Sequence, residues 1–273
     1  MENMCINNGY FATKVRTDTK EFMFESKVTK ALDKYESNLK IAGEQYKVGS
    51  GNHDLELDKT TSFTQKACVS YAIQKATTDK EVRVMSALPI NTYSNIEARR
   101  NYKEWLLSLD RIKDCEVYPE GAAATLSDLS WYNNKLVCLI DVGGLTINAM
   151  IFDNGKLVPG TAFGCQLGAI ILENRIRMAL QQTGLVNIPD YQIKYLIKNG
   201  DKVTDKVLEN YIEELNLEFR KMNYPTQLDF RFTGGGALKF RELFKNYFKA
   251  FISDYAVWEN VRGLYLLSQV VWK

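Results

Sequence analysis

The sequence predicts an α/β fold, and three observations carry that expectation. Strand-like and helix-like stretches alternate along most of its 273 residues. A strand–polar turn–strand unit at Ile6-Asn7-Asn8-Gly9 recurs 134 residues later at Ile140-Asp141-Val142-Gly143. Two similar units half a chain apart suggest two related lobes. No stretch rich in Pro, Ser or charge divides the chain. The composition is that of an ordinary globular protein, 45% hydrophobic and 25% charged.

The elements follow in order. Residues 10–16, 21–28, 39–42 and 45–48 read as strands, the last two joined by a Gly43-Glu44 turn. Residues 62–76 carry their apolar side chains on one helical face. Residues 82–88 read as a strand that Pro89 stops. A helix over 95–108 starts at Asn95 as its cap. Residues 115–118 form a short strand, and the Ala-rich run 121–129 is helical. Three strands follow at 136–142, 147–153 and 156–161, with Asp153-Asn154-Gly155 as a hairpin turn. Helices over 167–182, 190–198 and 203–222, a strand over 227–233, and helices over 237–251 and 258–271 complete the chain.

Composition excludes several classes of chemistry. The single histidine, His53, lies in the polar run Gly49 to Asp54 and reads as an exposed loop residue. Two-histidine zinc hydrolysis is therefore out. Five cysteines without a CxxC pair argue for reduced, mostly buried thiols in a cytosol. There is no signal-peptide pattern at Met1 and no apolar run of membrane-spanning length. A net charge of +2, from 35 basic and 33 acidic residues, does not by itself argue for nucleic acid or an anionic membrane.

Three segments carry chemistry. Leu139 to Thr146 delivers an Asp at the end of an apolar strand, then Gly143-Gly144, then a hydroxyl. Glycines let backbone N–H groups approach an anion, and the Asp makes sense beside a phosphate if a divalent cation lies between them. A plain hairpin with a turn Asp is the alternative. Thr233-Gly234-Gly235-Gly236-Ala237 joins a strand to a helix and lets a ligand come close; it is neither a P-loop nor a first-strand dinucleotide motif. In Pro119-Glu120-Gly121-Ala122-Ala123, Glu120 either favours a helix dipole or, at a hinge, orients a water.

In this order, and with the repeat at Asn7, these segments resemble the actin-like ATPase superfamily, and within it the bacterial plasmid-segregation actins of the ParM and AlfA kind. Asn7-Asn8-Gly9-Tyr10 through Lys14 is similar to the first phosphate hairpin, and Asp141 to Thr146 to the second. Pro119 to Ala123 and Asn260-Val261-Arg262-Gly263 resemble the two interdomain connections, and Gly234-Gly235-Gly236 the adenosine loop. Leu88-Pro89-Ile90 and the hairpin at 39–49 also fit the bacterial branch.

The resemblance implies a duplicated, ribonuclease-H-type fold with two lobes around a nucleotide cleft. Lobe I would comprise residues 1–119 plus 258–273, and lobe II residues 120–257. Only 93 residues separate Asp141 from Gly234, which implies a reduced or absent subdomain IIB, as in AlfA. ATP or ADP with Mg²⁺ would sit against Asn7, Asn8, Gly9, Tyr10, Lys14, Gly143, Gly144, Leu145, Thr146, Gly234, Gly235 and Gly236. Asp141 would hold the metal through water, and Glu120 would position the attacking water. Asn7 departs from the family's Asp, which lowers the negative charge near the metal and implies slow hydrolysis.

The implied function is a cytoplasmic, head-to-tail filament that segregates plasmid DNA through a DNA-binding adaptor, with turnover linked to hydrolysis. Arg99-Arg100-Lys103 and Arg220-Lys221 read as solvated helix faces, so direct DNA binding is not expected. Trp131-Tyr132 is a candidate for exposed subunit contacts, whereas Phe240, Phe244, Tyr247, Phe248 and Phe251 have the spacing of a core face. The rivals are a non-catalytic nucleotide-binding structural protein, which Asn7 keeps open, and a small-molecule kinase, for which neither lobe has an insertion large enough for a substrate site.

Overall fold

Each half of the chain begins with an antiparallel hairpin and extends it with parallel strands. The computed structural model describes residues 1–54, 56, 58–76, 81–225 and 227–273. Strands β1 (Glu2–Asn8), β2 (Ala12–Thr17) and β3 (Glu21–Glu25) form the first meander. A small second sheet follows, from β4 (Lys27–Lys30), β5 (Leu39–Ile41) and β6 (Glu44–His53), in the order β4-β6-β5. It packs on α1 (Phe63–Ala76) through Leu39, Val48, Ala67 and Cys68. The chain then returns to the first sheet with β7 (Val82–Leu88), passes through α2 (Ile90–Ser94) and α3 (Ile96–Leu107), and adds β8 (Ile112–Pro119). The sheet order is β3-β2-β1-β7-β8, with β7 parallel to both β1 and β8.

A 3₁₀ segment, Ala122–Tyr132, leads into the second half. There β9 (Leu136–Val142), β10 (Ile147–Asp153) and β11 (Lys156–Leu157) form the second meander, and β12 (Phe163–Cys165) pairs with β10. Three helices follow, α4 (Ala169–Gln182), α5 (Asp190–Asn199) and α6 (Lys202–Lys221). Then come β13 (Asp229–Thr233), α7 (Gly235–Lys239), α8 (Arg241–Phe248), β14 (Phe251–Ile252) and α9 (Ala256–Val271). The order β11-β10-β9-β13-β14 repeats the first sheet strand for strand, with β13 parallel to β9 and β14. The repeat at Asn7 and Asp141 thus marks a duplicated architecture. Between β12 and β13 the described residues form helices and no strand, in keeping with a second lobe that lacks an extra sheet.

Local chemistry accounts for the helix starts. The Asn95 side chain accepts from the Ala98 N–H at 3.1 Å, and Asp201 accepts from Val203 and Thr204 at 3.1 and 3.0 Å. The α9 helix lies across the 3₁₀ segment and the first sheet, and its Val261 and Leu264 join a core with Cys5, Met85 and Ala123. The approach requires Gly263, because a Cβ there would stand 1.7 Å from the Ala123 carbonyl oxygen.

Several elements differ from the expectation. β6 runs on to His53, so that residue is a half-buried strand end whose ring stacks on Phe11 at 4.9 Å, and not an exposed loop. The turn before β6 is Ala42-Gly43, both at positive φ, one residue earlier than expected. The expected strand 156–161 is two residues long. The expected helix 237–251 divides at Phe240, whose ψ of 33° is not helical. Tyr132 is buried, and Trp131 stacks on Phe251 and flanks the buried Arg231 guanidinium, so this pair belongs largely to the interior. The other ring-rich stretch is mainly core at Phe240, Phe244 and Phe248, with Tyr247 and Phe251 exposed. All five cysteines are free, and four are buried. No helix among the described residues is long and apolar enough to cross a membrane.

Candidate functional site

The two hairpins meet tip to tip. A Cβ on Gly144, in the turn after β9, would stand 3.3 Å from the Phe11 nitrogen and 3.4 Å from the Tyr10 Cβ, both in the turn after β1. The glycine-rich loop after β13 closes on the same place. Gly234 has φ +89°, and a Cβ there would stand 2.4 Å from Asp141 Oδ1. Gly236 lies equally close to Val142, while Gly235 has only Val257 within 4 Å of its Cβ position. The segments 7–14, 141–146 and 234–236, far apart in sequence, therefore converge.

Strand register decides which side chains share the cleft. Asn7 is paired with Lys14 across the first hairpin, and Asp141 with Asn148 across the second. All four are buried. Asn7 Oδ1 has no hydrogen-bond partner among the described residues. The Lys14 ammonium also makes no hydrogen bond or ion pair with them, and it sits 3.4 Å from where a Gly9 Cβ would be. Burial holds Lys14 below the ordinary lysine range and the Lys59 charge adds to this, while Asp141 and Glu120 act in the opposite sense.

Asp141 faces a different environment. Burial is the largest cause that pushes its carboxyl up to about 6, and the neighbouring Glu120 adds to it. The Asn260 amide at 2.7 Å, Lys14 and Lys59 oppose that rise. Asn260 also accepts from the Gly121 N–H at 3.0 Å. One side chain of α9 thus joins the segment after β8 to the end of β9.

Glu120 sits between the halves. Its N–H donates to Leu88 O at 2.8 Å, which continues the β7–β8 ladder. One carboxylate oxygen is ion-paired with Lys59, and the other accepts from Asn148 Nδ2 at 3.3 Å. Asn148 in turn accepts from the Ile90 N–H at 2.9 Å, which ties β10 to the Leu88-Pro89-Ile90 corner. Lys59 also donates to Asn8 O at 2.6 Å and lies over the Tyr10 ring at 4.7 Å.

Not every expected residue presents its side chain here. Asn8 points to the other side of β1, where it donates to Gln65 O at 2.9 Å and accepts from Thr13 at 2.7 Å. Only its backbone borders the cleft, through the carbonyl that receives Lys59. Gly143, Gly144 and Leu145 turn their carbonyls to the first amides of α4 and the residue before it, Ala169, Ile170 and Gly168 respectively, at 2.8–3.0 Å. The amides of Gly144 and Leu145 have no partner among the described residues. Thr146 lines a cavity of about 120 Å³ with Pro89, Asn91 and Asn148.

Sequence reasoning missed Lys59 and Asn148. Asn148 had a usable signal, because it stands 134 residues after Lys14 in the repeat. Lys59 had none, since a lysine in Asp58-Lys59-Thr60-Thr61 looks like any solvated turn lysine.

Comparison with known proteins bears on the same architecture. Residues 6–122 match the family model described as actin like proteins, N terminal domain. No curated protein matches the sequence. Among solved structures, the Alp12 filament superposes with a TM-score of 0.68 at 20% identity, covering 100% of this chain and 99% of that one. The archaeal actin homologue Ta0583 in complex with ADP gives 0.74 at 17% identity, over 99% and 100%. The ParM of a 15-stranded filament from Clostridium botulinum gives 0.74 at 16%, over 98% and 99%. Residues 6–122 are similar to the actin-like N-terminal domain, and the chain over its whole length takes the actin-like fold, with a cleft between two duplicated sheets.

Proposed function

We propose that this protein is an ATP-dependent, filament-forming bacterial actin homologue that segregates plasmid DNA. The observation that carries the nucleotide half is the convergence of buried polar groups left without partners where the hairpin tips meet. They are the Lys14 ammonium, Asn7 Oδ1 and the amides of Gly144 and Leu145. Buried polar groups are costly when unpaired, so such a cluster is a place kept for a ligand. Its donors suit phosphate oxygens. Asp141, a buried carboxylate beside Glu120, suits a cation. The residues therefore fit a magnesium nucleotide.

In this reading the lobes are residues 1–119 plus 258–273 and residues 120–257. Lys14 neutralises phosphate charge from the first hairpin, and the Gly144 and Leu145 amides donate to phosphate oxygens from the second. Asp141 would hold Mg²⁺, with Asn7 as a neutral second contact. When bound, Mg²⁺ supplies charge neutralisation of the phosphates. Gly234, Gly235 and Gly236 leave room for the adenosine and α-phosphate. Glu120 orients the attacking water and accepts its proton, with both carboxylate oxygens positioned by Lys59 and Asn148. Nucleotide state sets the lobe closure on which head-to-tail contacts depend; such contacts are heterologous and build an open filament. A DNA-binding adaptor at a centromere-like site connects that filament to a plasmid in the bacterial cytoplasm. The filament neighbours at similar length support the assembly half.

Purified protein with ATP and Mg²⁺ should sediment and scatter light, and should not do so without nucleotide. Absence of assembly across salt and concentration would remove the filament half. Turnover should fall about 10²–10⁴-fold in Glu120→Ala. Equal, negligible turnover in both proteins would favour the second reading, a nucleotide-binding structural protein without hydrolysis, which the neutral Asn7 keeps open.

A further inference from the structure

We infer that Lys59 is the positioning residue of the hydrolytic step, acting through Glu120 and not on the nucleotide. The inference rests on the ATPase reading above and extends it to a residue outside the three glycine-rich motifs.

Two lysines lie buried at the cleft, and they are used differently. Lys14 has no partner among the described residues. Lys59 is 1% exposed and is committed three times over, to the Glu120 carboxylate, to Asn8 O at 2.6 Å and to the Tyr10 ring at 4.7 Å. A cation with its donors already spent is poorly placed to capture a phosphate. It is well placed to fix a carboxylate, since charge-assisted hydrogen bonds are the strong and directional ones.

The turn that delivers Lys59 is built to hold it. Asp58 Oδ1 accepts from the Thr60 N–H at 2.8 Å and from the Thr60 hydroxyl at 2.6 Å, and Asp58 O accepts from the amides of Thr61 and Ser62 at 3.3 and 3.1 Å. Ser62 in turn donates to Asp54 at 2.5 Å. This Asx turn directs residue 59 inward and leaves Asp58 exposed. Its ammonium then bridges the backbone of the first phosphate hairpin to Glu120, and Asn148 secures the opposite carboxylate oxygen from β10. The plane of the Glu120 carboxylate is thus set from both halves of the molecule. Removing Lys59 would free that carboxylate to rotate and would leave its charge buried without a counter-ion.

The test is single-turnover ATP hydrolysis by the wild type, Lys59→Met, Glu120→Gln and the double variant, together with ADP affinity for each. Lys59→Met should lower the hydrolysis rate about 10–100-fold, while ADP affinity stays within about 3-fold. In the Glu120→Gln background, Lys59→Met should have no further effect, because residues acting as one unit are not additive. A merely structural lysine would slow both backgrounds equally, and that result would overturn the inference. So would a fall in ADP affinity of 10-fold or more, which would make Lys59 a phosphate ligand. Should Lys59→Met alone fail to fold, the double variant removes both charges together, and its rate against Glu120→Gln decides the matter in the same way. A wild type without turnover would end the ATPase reading and this inference with it; wild-type turnover unchanged in Lys59→Met would end only this one.

Discussion

The first and second hairpins hold equivalent places in two equivalent sheets, yet they carry opposite chemistry. The first pairs a neutral Asn7 with a cationic Lys14. The second pairs an anionic Asp141 with a neutral Asn148. The fold supplies the same backbone twice, and one ionised side chain per hairpin makes the difference. The cleft then offers a positive group from one lobe and a negative group from the other. A ligand that joins phosphates to a cation would satisfy both lobes at once, which is a physical reason for closure on binding. Without a ligand both charges are held in place at a cost, because burial disfavours each of them.

Removing the first hairpin's charge should have the largest effect. Lys14→Met should weaken ADP and ATP binding about 10²–10³-fold, since a buried charge-assisted contact is lost outright. The protein without nucleotide should lose no stability, because the ammonium it gives up has no partner. Titration calorimetry and thermal melting of the same variant separate the two effects. A melting temperature that falls together with affinity would mean that Lys14 is structural.

Removing the second hairpin's charge should raise the stability of the nucleotide-free protein. The folded Asp141 pKa, about 6, lies above its ordinary value of 3.8. The folded state therefore binds more protons than the unfolded state between these values, and stability falls as pH rises through that window. Asp141→Asn should abolish the slope and, above pH 6, stabilise the nucleotide-free protein by about 2 kcal/mol. It should also remove the Mg²⁺ dependence of nucleotide binding. Denaturant melts across pH 4–8 check the first effect, and a Mg²⁺ titration the second.

The pattern of what the sequence revealed follows the same division. The hairpins were legible because a polar residue at the end of an apolar strand, followed by glycine, is a local signal, and its recurrence 134 residues later doubled it. Most strand and helix centres were legible for the same reason. Lys59 was not, because its inward direction depends on an Asx turn and on a carboxylate 61 residues away. β1 was hard to trace from its start because both its faces are buried, so Asn3 to Asn8 show no alternation of polar and apolar residues. The end of β6 reads as a loop in the sequence because Gly49 and Gly51 interrupt it; in the structure both take positive φ within the strand. The break at Phe240 has no helix-breaking residue to mark it in the sequence. Phe240 and Phe244 continue one apolar stripe across it.

Asn7→Asp sharpens the comparison from the other side, by giving the two hairpins the same acid. The added carboxylate would lie near Lys14 and would answer the unpartnered oxygen now at Asn7 with a full charge. Hydrolysis should quicken by about 10-fold through tighter Mg²⁺ binding, and the Mg²⁺ concentration for half-maximal rate should fall. A rate that stays flat would mean that the neutral first hairpin is not what limits turnover.

The smallest expected effect belongs to the second hairpin's neutral member. Asn148 gives one long hydrogen bond to Glu120, at 3.3 Å, and takes one of 2.9 Å from the Ile90 amide. Asn148→Asp keeps the acceptor for Ile90 and turns the donor toward Glu120 into a like charge. Asn148→Ala deletes both contacts and leaves the amide unpaired, at about 1–2 kcal/mol of stability. If the Glu120 carboxylate is held chiefly by Lys59, as the ion pair indicates, Asn148→Ala should lower hydrolysis by only about 3-fold, well short of the loss in Lys59→Met. Asn148→Asp should lower it further than Asn148→Ala and should also cost more stability, because a second buried carboxylate beside Glu120 is disfavoured both by burial and by repulsion. A loss of rate in both variants, read from turnover beside their melting, separates a carboxylate-orienting amide from one that only packs the corner at Ile90, which would lose stability and leave the rate unchanged.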